Sequence, residues 1–241
     1  MKLFGADQNL GAHAWEGNLI LKEESPFLVQ EAYKALRTNV IFSLPGSDCK
    51  CIGVTSAQRG EGKSTSTINL AVSFGQIRKK VLVIDCDMRL PTVASKLRAK
   101  AQPGLSNLLI GDCTLEEAIQ EREEQQISIL PAGVLPPDPT GLLESAQMQQ
   151  LIQRLRADYD YIFIDLPPVT AVADAVILSK CIDGFLMVVR HGKTERRDIA
   201  QTLGQLRFVN AHIIGFVYTG MKMGGRKYYR SRGSYYRKEK A

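Results

Sequence analysis

The chain has no apolar stretch long enough to cross a membrane. A helical span needs about 18 or more consecutive apolar residues, and charged or polar residues break every run in these 241 residues well before that. The N-terminal segment MKLFGADQNLGAHAWEGN also lacks the apolar centre of a signal peptide. Both absences lead us to expect a cytoplasmic protein. Cysteine is sparse and unpaired in spacing. The five residues Cys49, Cys51, Cys86, Cys113 and Cys181 suggest a reducing compartment rather than a disulfide framework. Cys49 and Cys51 flank a single lysine, the wrong interval for a zinc site. The three histidines, His13, His191 and His212, are scattered and form no ligand pattern.

A general excess of positive charge is missing as well. The net charge is +6, but residues 222–240 hold eight Lys or Arg and one Glu, or +7, leaving −1 for the remainder. The basic character thus belongs to a tail. This argues against a nucleic-acid-binding fold and against nucleic acid as the main partner.

What the sequence has is a series of short apolar runs. CIGVTS, VLVID, YIFID, FLMVV and IIGFVY read as strands buried on both faces, as in a parallel sheet covered by helices on each side. Helix-like segments over 65–77 and 194–208 lie between them. The expected fold is therefore α/β, three layers around a mainly parallel sheet. Residues 130–141, LPAGVLPPDPTG, are expected to form a loop. The chain divides into an N-terminal extension over 1–24, a domain over 25–222 and a basic tail over 223–241. Within the domain, 26–44 is expected to be helical, with Ser25 as N-cap and Pro26 in the first turn. Leu28, Ala32, Leu36 and Val40 would give it one apolar stripe, and Glu31, Lys34 and Arg37 a charged face.

One stretch carries chemistry directly. TSAQRGEGKSTS follows the first apolar run and opens a helix, and it fits G-x-x-x-x-G-K-[ST] with Ala57 in place of the first glycine. Gly60 and Gly62 let backbone N–H groups turn onto phosphate oxygens at a helix N-terminus. Residues Gln58, Arg59, Gly60, Glu61, Gly62, Lys63, Ser64 and Thr65 are the expected nucleotide-binding set. Lys63 would reach the β- and γ-phosphates, and the Ser64 hydroxyl would ligate Mg²⁺. Three carboxylates each end an apolar strand, at the sheet edge where ligands bind in such folds. Asp165 reads as a metal-holding residue. Of Asp85 and Asp87, one would hold the metal's water shell and the other accept a proton from a nucleophile. Asp85 is the metal candidate of the two, yet the sequence leaves the assignment open. ATP and Mg²⁺ are the ligands expected.

Taken together, SAQRGEGKS, VLVIDCDMRLP and YIFIDLPP resemble the Walker A, A′ and B motifs of the bacterial tyrosine kinases, a P-loop family related to cell-division and plasmid-partition ATPases. EAYKALRTN resembles that family's oligomerisation helix, and ILPAGVLPPDPTGLLES its loop beyond the A′ region. The resemblance implies a protein-tyrosine kinase that phosphorylates its own tyrosine cluster, here Tyr228, Tyr229, Tyr235 and Tyr236, between subunits of a ring. It implies that Glu31, Lys34 and Arg37 make the subunit contact, with Lys34 standing where arginine is usual. It further implies capsule or exopolysaccharide synthesis and export, a separate transmembrane activator that recruits the protein to the inner face of the membrane, and an opposing tyrosine phosphatase. The related alternative is a partition- or division-type switch ATPase. Those ATPases carry an extra lysine early in the loop, and here Gln58 takes that position.

Overall fold

The computed structural model describes residues 19–46 and 48–221. The tail tyrosines and most of the N-terminal extension lie outside them. Within this range a seven-stranded sheet is formed by β1 (Lys50–Ser56), β2 (Val81–Asp85), β3 (Gln120–Arg122), β4 (Ile127–Leu130), β5 (Tyr161–Asp165), β6 (Gly184–Arg190) and β7 (Ile213–Thr219), in the order β3-β4-β2-β5-β1-β6-β7. All neighbours run parallel except β3 and β4. The helices are α1 (Phe27–Ser43), α2 (Lys63–Gly75), α3 (Val93–Lys96), α4 (Leu105–Leu109), α5 (Leu115–Ala118), α6 (Pro139–Glu144), α7 (Ala146–Asp158), α8 (Asp174–Ile177) and α9 (Arg196–Phe208).

Strand side chains alternate between two cores, as the pleat requires. Ile52, Val54, Val81, Val83 and Phe163 pack with α1, α2 and α3, whereas Cys51, Leu82, Ile84, Ile162 and Ile164 pack with residues of α4 to α9. The three-layer α/β architecture expected from the apolar runs is present. Gly53 takes the second face, where a Cβ would stand 2.8 to 3.0 Å from Ile182, Leu166 and Phe185. Side chains from the neighbouring strand and loops already fill that space.

Several local expectations change. β3 and β4 gave no strand signal, because β4 is four residues long and β3 is a polar edge strand. Residues 130–141 are not loop throughout: Asp138 caps α6 by accepting from the Gly141 N–H at 3.0 Å, with Pro139 as the first helical residue. In α1, Pro26 occupies the N-cap position with no side-chain cap, and the Ser25 hydroxyl instead accepts from the Lys22 N–H at 2.9 Å. Its packed stripe runs through Val29, Tyr33, Leu36 and Val40, while Ala32 is exposed. Tyr33 and Val29 therefore displace Leu28 and Ala32 from the predicted line. Glu31 and Lys34 pair at 2.8 Å. Arg37 leaves that face: it is half-buried and donates to the Ser73 carbonyl of α2.

Candidate nucleotide-binding and phosphoryl-transfer site

The site lies where β1, β2 and β5 end. Residues 57–62 connect β1 to α2, and Gly60 and Gly62 have φ of 73° and 95°, left-handed values that glycine adopts without strain. Gly62 is the N-cap of α2, so the first turn of a 13-residue helix faces the cleft with its positive dipole end. The cleft has a volume of about 320 Å³, and Arg59, Gly60, Gly62, Lys63, Ser64, Thr65 and Asp87 line it.

Lys63 is the electrostatic centre. Its Nζ lies 2.9 Å from Asp165 Oδ1, 3.3 Å from Asp87 Oδ2 and 3.4 Å from the Ser64 hydroxyl. Burial opposes its charge, but Asp165 and Asp87 outweigh that and hold the ammonium above its ordinary pKa. Asp165 is wholly buried and its second oxygen, Oδ2, has no hydrogen-bond partner. A buried, half-satisfied carboxylate and a serine hydroxyl at the start of a phosphate-loop helix, both within reach of the Lys63 ammonium, are a donor set that suits Mg²⁺. The residues present fit that ion.

The two A′-type carboxylates differ sharply in setting. Asp85 is the register partner of Asp165 on the adjacent parallel strand. Burial first, and the neighbouring Asp165 second, raise its pKa to about 7. Its Oδ2 accepts from the N–H groups of Thr92 and Val93, both at 3.0 Å, and its Oδ1 from Asp87 N–H at 3.2 Å. Asp85 thus shapes the turn and holds the start of α3. Asp87 lines the cleft, with Oδ1 accepting from Leu90 N–H at 3.2 Å and Oδ2 turned to Lys63.

Two members of the expected nucleotide-binding set are placed elsewhere. Glu61 is wholly buried and does not line the cleft; it accepts from Ala57 and Gln58 N–H groups. The Gln58 amide donates to Asp198 Oδ2 at 2.6 Å. Glu61 serves the loop's own shape, and the Gln58 side chain ties the loop to α9.

The sequence also left residues unnoticed. Arg89 Nη2 donates to the Thr140 hydroxyl at 2.9 Å, which donates to Asp174 Oδ1 at 2.9 Å. This chain of contacts joins the loop after β2 to α6 and α8. Lys96 and Arg190 add cations to the cleft, and Leu19 and Leu90 add apolar surface. The cleft residues Leu19 and Arg190 lie 190 − 19 = 171 positions apart along the chain, and no local pattern joins them. Only Thr140, in the helix-start sequence DPTG, carried a readable signal.

A parallel α/β sheet, a glycine-bearing loop leading into a helix, and strand-end carboxylates around its lysine define a P-loop nucleoside-triphosphatase fold. Residues 49–212 match a family model described as an AAA domain. The chain is 38% identical over 206 residues to the tyrosine-protein kinase YwqD of Bacillus subtilis, covering 86% of this chain and 87% of that protein. The kinase domain of Escherichia coli tyrosine kinase ETK superposes with a TM-score of 0.78 at 28% identity, over 82% of this chain and 78% of the other. The septum site-determining protein MinD of Pyrococcus horikoshii, complexed with Mg-ADP, superposes with a TM-score of 0.61 at 26% identity, over 70% of each chain. The protein belongs to the bacterial tyrosine-protein kinase family.

Proposed function

We propose that this chain transfers the γ-phosphoryl group of ATP to tyrosine hydroxyls in its own C-terminal segment, Tyr228, Tyr229, Tyr235 and Tyr236, acting between subunits of a homo-oligomeric ring. The observation that carries the reading is the Lys63 ammonium held between Asp165 and Asp87 at the mouth of a phosphate loop. N–H groups of the loop and the first turn of α2 bind the phosphates, and Lys63 stabilises charge on the transferred group. Ser64 and Asp165 would hold Mg²⁺, which supplies further charge neutralisation at the phosphate oxygens when bound. The tyrosyl oxygen forms the new bond to phosphorus as the bond to the leaving ADP oxygen breaks. Its proton passes to a carboxylate. Asp87 is the acceptor that the placement favours, because it lines the cleft while both Asp85 oxygens accept backbone N–H groups.

The wider role follows the family. We infer that the protein regulates capsular or exopolysaccharide synthesis and export, works with a transmembrane activator that brings it to the inner membrane face, and is opposed by a tyrosine phosphatase. Glu31, Lys34 and Arg37 are the proposed subunit-contact residues of α1. Support for the kinase over a switch ATPase comes from the higher structural similarity to the ETK kinase domain than to MinD, and from Gln58 standing where the ATPases carry lysine.

The test is the intact mass of the purified chain after incubation with Mg·ATP, with and without an activator's cytoplasmic peptide, beside Lys63→Met. Phosphate increments that map to the four tyrosines and vanish in Lys63→Met are expected. ATP hydrolysis with no increments under either condition would identify a switch ATPase instead.

A further inference from the structure

Glu61 lies inside the phosphate loop, yet its side chain serves the protein rather than the cleft. It is wholly buried. Oε2 accepts the N–H groups of Ala57 and Gln58 at 3.0 and 3.1 Å, and Oε1 accepts the Thr194 hydroxyl. Its carbonyl accepts the Thr219 hydroxyl at 2.6 Å. Thr194 stands just before α9, and Thr219 is the last residue of β7. Three more contacts tie the same loop to the same side of the molecule. Gln58 donates to Asp198 in the first turn of α9, Arg190 Nη1 donates to the Gly60 carbonyl at 2.9 Å, and the Lys193 ammonium donates to the Arg59 carbonyl.

A buried carboxylate is tolerated only when its oxygens are satisfied, so a loop that carries one is held in the conformation that satisfies it. Glu61 withdraws two N–H groups, those of Ala57 and Gln58, from the loop's own donors and uses them to close its curve. The first glycine of the common pattern is absent here, and Ala57 sits fully buried at that corner. Glu61 and its partners supply the constraint on loop shape from within.

We propose that Glu61 is a positioning residue. It fixes the curvature of the 57–62 loop, so that the donors opening α2 meet the phosphates in the right orientation, and it links that curvature to Thr194 and to the end of β7. The inference rests on the nucleotide-binding reading above and assigns Glu61 no contact with nucleotide or metal.

Calorimetric titration of the full chain with Mg·ADP and Mg·ATP tests it, using wild type, Glu61→Ala, Glu61→Gln, Thr194→Val and the double variant Glu61→Ala/Thr194→Val. Thermal melts monitor folding. Loss of a charge-assisted hydrogen bond predicts about 10- to 100-fold weaker binding for Glu61→Ala and about 3- to 10-fold for Thr194→Val. Glu61→Gln recovers part of the loss, because its amide oxygen still accepts from two N–H groups and the Thr194 hydroxyl can turn to accept from its NH₂. The double variant binds no worse than Glu61→Ala alone, since both changes break one network. ADP and ATP weaken in parallel, because the loop cradles phosphates common to both, whereas Lys63→Met weakens ATP more than ADP. Wild-type affinity in a folded Thr194→Val, or additive losses in the double variant, overturns the proposal. If Glu61→Ala does not fold, Thr194→Val and Glu61→Gln carry the test. A wild-type chain that binds neither nucleotide overturns the nucleotide reading itself; one that binds both while Thr194→Val is unaffected overturns only the positioning role.

Discussion

Asp85 and Asp165 face each other on adjacent parallel strands, balanced by Lys63, the Thr67 hydroxyl and backbone N–H groups. The strain of that pairing has a pH signature. Asp85 has a pKa of about 7 in the fold, against an ordinary value of 3.8. A carboxyl that holds its proton more tightly when folded binds excess protons in the native state between those two values. Its contribution to stability therefore falls as pH rises from about 4 through about 7, and is level above that. Asparagine at position 85 cannot ionise and escapes this loss. We predict that the melting temperature of Asp85→Asn minus that of wild type, measured in EDTA, increases as pH is raised from 5 to 8. A difference that stays flat across that range refutes the assignment. Asp87, in contact with the same lysine but lining the cleft, has no backbone turn of comparable extent to support. Its replacement by asparagine should suppress phosphate increments and also lower the melting temperature, since Asp87 is buried and one of the two carboxylates that pair with the buried Lys63 ammonium.

At the scale of elements, one arginine joins α7 to the segments that lead into β1 and β6. Arg156 on α7 makes a two-pronged contact with Asp183, Nη1 to Oδ2 at 2.8 Å and Nη2 to Oδ1 at 3.0 Å. The same guanidinium donates to the carbonyls of Cys49, just before β1, and Cys181, before β6. Asp183 in turn accepts the Cys51 N–H at 2.7 Å. A planar fork suits this arrangement and lysine would not reproduce it. Arg156→Leu keeps the stem's packing but leaves two carbonyls and a half-buried carboxylate short of partners. The expected destabilisation is about 2 kcal/mol, seen in urea unfolding as a lower midpoint at unchanged slope. A midpoint equal to wild type would show that solvent replaces these bonds. Burial of Cys49, Cys51 and Cys181 around this contact pushes each thiol up, that of Cys49 to about 11. They are held as thiols.

Across the whole molecule, charge is divided between a nearly neutral body and a tail of +7. Each phosphotyrosine adds roughly −1.5 to −2 charges, so four would add about −6 to −8 and cancel the tail. We predict that assembly of the unphosphorylated chain, followed by sedimentation, responds to salt between about 50 and 500 mM, and that phosphorylation weakens both the assembly and its salt response. Assembly that ignores salt and is identical before and after phosphorylation would sink the idea. Among the described residues no helix is long and apolar enough to cross a membrane.

The sequence by itself determined the sheet's central strands, the phosphate loop and the three strand-end aspartates. Each is written in a short contiguous pattern: an apolar run of buried-strand length, two glycines before a lysine, a carboxylate at the end of a run. Five of the seven strands and the cleft's charged centre were legible for that reason. Tertiary structure decided what depends on distant partners. It set Asp85 apart from Asp87, because only the alignment of β2 with β5 and the return of Thr92 and Val93 show which carboxylate accepts backbone N–H groups. It moved the packed stripe of α1 onto Val29 and Tyr33, because the position of α2 selects the face, and it drew Arg37 from the charged row to the Ser73 carbonyl. It also turned Glu61 inward, where hydroxyls 133 and 158 residues away meet it. Local patterns fix what a segment can become; the long-range packing of the sheet fixes which of its groups are free to act.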